Sequence, residues 1–193
     1  MDKKLIIIII LLYIALVCRK PSGYFSFLPS KEKYFPNSSV ELNSVLNHIK
    51  SRTKKDEQFH YLTDRSVSEA FAILLKKNGI KTCVKHLDKL ITDSSITNFI
   101  MKKKIKYNRI RPYQLYPKIN KLYSKTANTP AFPAGHAFQA YLLAKLISKK
   151  HPNLKDKLYN LAYKCDIVRI KAGLHYPSDG KYSKLLIEKY YKV

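Results

Sequence analysis

The chain of 193 residues carries 37 Lys and Arg against 13 Asp and Glu, a formal net charge of +24, and 46% of it is apolar. That apolar share excludes a disordered chain, and the length suits one compact domain with a real core. The charge favours anionic partners (phosphorylated small molecules, acidic membrane surfaces or nucleic acid), although lysines spread this evenly are for the most part solvated surface. Cysteine is sparse (Cys18, Cys83, Cys165), with no CxxC or Cys/His spacing, so neither a zinc finger nor a disulfide framework is expected.

Residues 1–20 open with Lys3 and Lys4 before an unbroken apolar run from Leu5 to Val17. This is the pattern of a signal peptide or an N-terminal membrane anchor, and it falls short of the roughly 20 residues of a full span. The rest of the chain is therefore expected outside the cytosol, secreted, periplasmic or tethered. Residues 21–37, with Pro21, Gly23, Pro29 and Pro36, read as an extended leader. Asn37-Ser38-Ser39 is a glycosylation sequon. Ser38-x-x-Glu41 also forms a capping box that opens a helix over 38–52 carrying Val40, Leu42, Val45, Leu46 and Ile49. A second box, Ser66 with Glu69, opens a helix that Asn78-Gly79 stops. Helices over 81–90 and 95–107 follow, the latter with Ile96, Phe99, Ile100 and Ile105 at helical spacing, and Pro112 ends that region.

Residues 113–134 form a long loop, a length that points to function. Its Tyr113, Tyr116, Tyr123 and Phe132 are expected to shape an entrance. Helices resume over 135–150, over 154–172 with Gly173 as the stop, and over 177–190 with Pro177 in the first turn. No strand alternates and no segment repeats. The fold class is all-α, a single-domain helical bundle over 38–193.

Three clusters carry the chemistry. In the third, Arg169 closes a helix, His175 follows the Gly173 stop, and Asp179 lies in the first turn of the next helix. The four-residue step brings carboxylate against imidazole, which fixes the tautomer and leaves Nε2 bare. A histidine there can also cap or pack, and Asp179 can serve only the helix dipole. In the second, Pro133-Ala134-Gly135-His136 places a small-residue turn at a helix start, where backbone N–H groups face an anion. In the first, Lys104 and Arg111-Pro112 add cations, with Arg109 between them; Lys102, Lys103 and Lys106 compete with Lys104 for its role.

The order K-x6-R-P, P-A-G-H, R-x5-H-x3-D resembles the type 2 phosphatidic acid phosphatase/vanadium haloperoxidase superfamily. The segments 104–112, 132–136 and 174–179 are most similar to its soluble class A acid phosphatases. The resemblance implies an all-α fold, His175 as a nucleophile forming a phosphohistidine, Asp179 orienting it, and His136 as acid then base. Lys104, Arg111, Gly135 and Arg169 would bind the phosphoryl oxygens. It implies no metal or other cofactor, with vanadate binding as a phosphate mimic. The implied substrate is a phosphorylated small molecule or lipid headgroup, without specific nucleic-acid binding; a membrane tether and a homo-oligomer stay open. Ala134 and Val168 stand where the family usually has serine, and the missing Ala134 hydroxyl removes a donor worth roughly 1–3 kcal/mol. A vanadate-dependent haloperoxidase, a lipid phosphatase at a membrane surface and a non-catalytic basic module are the competing readings.

Overall fold

The computed structural model describes residues 35–189, so the segment 1–20 and most of the leader lie outside the described residues. Within them the fold is all-α. No helix there is long and apolar enough to cross a membrane. The helices are α1 (Ser38–Lys50), α2 (Lys54–Asp64), α3 (Ser68–Lys77), α4 (Val84–Thr92), α5 (Ser94–Tyr107), α6 (Pro112–Leu115), α7 (Gly135–Lys150), α8 (Lys155–Lys171) and α9 (Pro177–Lys189). A 3-10 turn, Pro152–Leu154, leads into α8.

The core is built around α7 and α8, the most closely packed pair; α9 lies on α7, and α1 and α2 lie on α8. Helix α7 buries Ala137, Phe138, Ala140, Leu142, Leu143 and Ala144, faces pointing in several directions. A helix apolar nearly all round belongs at a core centre, and each buried Leu there contributes roughly 1.5–3 kcal/mol. Four small alanine and glycine positions on α7 let its neighbours approach closely.

The helix starts and stops differ from the sequence expectations in instructive ways. Asn37, not Ser38, caps α1: its Oδ1 accepts from Ser39 N at 2.9 Å, while Ser38 is buried and Glu41 is engaged elsewhere. The apolar face of α1 is narrower than its composition, since Val45 is buried while Val40 and Leu46 are exposed. No box forms at Ser66; its Oγ donates to Asp88 and accepts from Ser68 N. On α5, Ile105 is exposed, and Lys104 and Tyr107 turn inward. Helix α5 ends at Asn108, which sits in the left-handed region (φ 46°), a conformation asparagine tolerates. Pro112 therefore starts α6 instead of ending a helix. Cys83 is exposed, Cys165 is buried, and both are free.

Helix α2 had no counterpart in the sequence reading. It has a full capping box: Thr53 Oγ1 accepts from Asp56 N and Asp56 Oδ2 accepts from Thr53 N. Its buried positions are His60, Thr63 and Asp64. A helix whose inward face is polar shows no apolar period, which is why pattern alone passes over it.

Candidate active site

The third cluster is delivered by a glycine turn. Gly173 adopts φ +73°, and Gly173 N and Leu174 N donate to Ile170 O and Arg169 O, the paired bonds that close a helix. A Cβ at this position would lie 2.8 Å from Ile119 Cγ2, so glycine answers both the conformation and the space. Two residues later His175 is 2% exposed. Its Nδ1 lies 3.1 Å from Asp179 Oδ2. The carboxylate accepts the Nδ1 proton, so Nε2 carries the lone pair. That lone pair receives Arg111 Nη1–H at 3.2 Å. Burial, then Arg111, pull the His175 pKa down to about 3.

Asp179 is wholly buried yet ionised. Burial pushes its pKa up, but the Arg109 guanidinium and the His175 bond outweigh this and hold it at about 2. Arg109 Nη1 donates to Asp179 Oδ1 at 2.7 Å and to Ser178 Oγ at 2.6 Å, and Nη2 donates to Glu41 Oε2 at 2.7 Å. The guanidinium is stacked 3.9 Å from the centre of the Tyr176 ring. Glu41 also accepts from Ser178 N. The residue that the sequence offers as a helix cap is thus a counter-ion behind the candidate nucleophile.

Arg111 Nε donates to Thr129 O at 2.7 Å and Nη1 to Leu174 O at 2.9 Å. Lys104, 4% exposed, donates to Pro130 O. Among the described residues neither cation has a carboxylate partner. Burial, then the neighbouring Arg111 charge, hold the Lys104 pKa well below its ordinary value. Burial also brings Arg111 down to about 10. Of the lysines that compete in α5, Lys104 is the one turned inward.

Arg169 and His136 are both tied to the end of α2. Arg169 Nη1 donates to Asp64 Oδ1 at 2.9 Å and to His60 Nδ1 at 3.2 Å; Nη2 donates to Ser124 Oγ. Its Nε is buried with no partner among the described residues. Asp64 also accepts from Ser124 Oγ and Lys125 N. Burial raises the Asp64 pKa, and the Ser124 bond and Arg169 reverse this and bring it to about 2. His136 Nε2 lies 2.8 Å from the backbone oxygen of Asp64. A carbonyl can only accept, so Nε2 carries hydrogen and Nδ1 is left to exchange a proton. Burial, then Arg169, hold the His136 pKa well below its ordinary value.

Lys104, Arg111, Gly135, His136, Arg169 and His175 line one cavity of about 220 Å³. Asp179 sits behind His175. Gly135 opens α7, whose first turn has no side-chain cap, so its N–H groups are donors available to an anion. Ala134 is wholly buried, held by Ala134 N to Asp179 O and by Ser183 Oγ to Ala134 O. The loop aromatics do not form the entrance as expected: Phe132 packs with Phe35, Tyr107 and Tyr182, and Thr126 and Thr129 line the cavity instead. His60, Asp64, Arg109 and Glu41 are the supporting residues that sequence reasoning did not assign. Compared with known proteins, the chain matches no family model, and no curated protein matches it.

Proposed function

We propose that this chain is a phosphoric monoester hydrolase that works through a phosphohistidine, of the kind found in the type 2 phosphatidic acid phosphatase/haloperoxidase superfamily. The observation that carries the reading is the charge balance of the cavity. Among the described residues, two buried cations with no carboxylate partner, a third with an unpartnered Nε and an uncapped helix start converge where no acid lines the wall. Buried charge is costly unless compensated, and a phosphoryl dianion supplies the compensation.

The geometry supports the following steps. The phosphoryl oxygens draw Arg111 away from His175 Nε2 and take its N–H bonds. Nε2 attacks phosphorus as the P–O bond to the leaving group breaks, and the His136 imidazolium gives its Nδ1 proton to the departing oxygen. The His175–Asp179 bond stabilises the charge that forms on the ring. Water then attacks the phosphohistidine, His136 accepts its proton, and the P–N bond breaks. Lys104, Arg111 and Arg169 stabilise the equatorial oxygens in both steps. The apolar N-terminal run supports an enzyme acting outside the cytosol or at a membrane surface.

The test is p-nitrophenyl phosphate hydrolysis by the full chain and by His175→Ala. Wild type turns over and forms an acid-labile phosphoenzyme; His175→Ala loses at least about 10³-fold in kcat and traps no phosphate. Normal turnover by His175→Ala refutes the assignment. Bromide oxidation with added vanadate and hydrogen peroxide, in place of ester hydrolysis, would favour a haloperoxidase.

A further inference from the structure

We propose that Arg65 makes this a site for phosphate esters and phosphoanhydrides whose leaving group carries a second oxyanion; the inference rests on the phosphatase reading above. Arg65 is the residue directly after α2 and lines the same cavity. Its backbone is pinned because its neighbour Asp64 is held at both ends, the carbonyl by His136 and the carboxylate by Arg169, Ser124 and Lys125. Its side chain is exposed.

Six of the 37 basic residues are arginine. Of those among the described residues, Arg52 bonds Glu57 and two carbonyls, and Arg109, Arg111 and Arg169 are engaged as above. Arg65 alone has no side-chain hydrogen bond or ion pair there. Of the other polar side chains lining the cavity, Thr97 Oγ1 bonds Asp93 O, Gln139 Nε2 bonds Ile91 O and Thr126 Oγ1 bonds Asp64, while the Thr129 hydroxyl is neutral. Among the described residues Arg65 is thus the cation lining the cavity whose side chain is not engaged. Its planar fork fits a phosphate or carboxylate bidentately, which a lysine cannot do.

The cavity, about 220 Å³, opens to solvent. Because Arg65 lines the same small cavity as His175, the second anion sits close to the first, as in pyrophosphate or phosphoglycolate. With pyrophosphate, the His175 Nε2–P bond forms as the bridging P–O bond breaks. His136 protonates the leaving phosphate, which Arg65 holds.

The experiment measures kcat/KM of the full chain for pyrophosphate, phosphoglycolate and p-nitrophenyl phosphate, comparing wild type with Arg65→Gln and Arg65→Lys at 0.15 M salt. Arg65→Gln is expected to lower kcat/KM about tenfold for pyrophosphate, phosphoglycolate or both, and to change p-nitrophenyl phosphate less than twofold; Arg65→Lys falls between. The more affected substrate shows whether the second group is phosphate or carboxylate. Arg65→Lys keeps the charge and so controls for lost steering. Equal effects on all three, or none, overturn the role of Arg65. A wild-type chain inactive on all three overturns the phosphatase reading, a distinct result.

Discussion

Asp166→Asn is expected to flatten the pH dependence of stability. Asp166, on α8 three residues before Arg169, is 6% exposed, and its Oδ1 is buried without a hydrogen-bond partner among the described residues. It lies flat against α9: a Cβ built on Gly180 would fall 1.9 Å from Oδ1 and 2.1 Å from Oδ2. Burial, then the nearby Asp179 charge, raise its pKa from 3.8 to about 7. The unfolded chain releases this proton first, so folding stability falls as pH climbs from the unfolded value to about 7, and then levels off. At 1.36 kcal/mol per unit the full gap is about 4 kcal/mol, of which roughly 3 kcal/mol is lost between pH 5 and pH 8.5. The chain has no Trp, so urea unfolding followed by far-ultraviolet circular dichroism at those two pH values is the assay. The wild-type minus variant difference should change by about 3 kcal/mol, with the variant relatively better at pH 8.5. Parallel stability profiles for the two chains would refute the reasoning. The helices concerned carry Arg169 and Asp179, so alkaline loosening reaches the cavity.

Catalysis should be confined to acid pH. On the proposed mechanism His175 has to be neutral to attack, and its pKa of about 3 sets the acid limb. His136 has to be protonated to donate, and its lowered pKa puts the basic limb of kcat/KM below 6.5. A pH series from 3 to 8, corrected for the substrate's second ionisation near pH 6, checks this; a basic limb above 7 contradicts the assigned acid. Arg109→Gln leaves Asp179 and Glu41 without their shared cation and is expected to lose about 3–5 kcal/mol. Adding Glu41→Gln should recover part of the loss in urea unfolding, and strictly additive single-variant losses would argue against the shared ion pair.

The three clusters, which the fold brings to one cavity, were legible because each is a short spacing. Four residues place Asp179 against His175, and Gly173 and Pro177 mark the turn between them. What surrounds these groups was not legible. His60 and Asp64 belong to a helix whose inward face is polar because it meets Arg169 and His136, so the period that reveals amphipathic helices is missing. Glu41 stands at the spacing of a helix cap, and nothing local separates that role from a partnership with Arg109 across 68 positions. The tyrosines of the long loop stand out by size, yet the cavity is lined by its small hydroxyl residues Thr126 and Thr129. Positions set by long-range charge pairing leave no periodic trace, whereas positions set by a turn do.

The bond from Arg111 to His175 has a further consequence for chemoselectivity. On the proposed mechanism the attacking nitrogen is masked by a guanidinium, and only a molecule able to accept hydrogen bonds strongly would unmask it. A carbon electrophile lacking negative oxygen would meet a deactivated ring, while a phosphate ester would release the ring in the act of docking. The same side chain would then serve as a safety catch on the imidazole and as part of the cradle that lifts it.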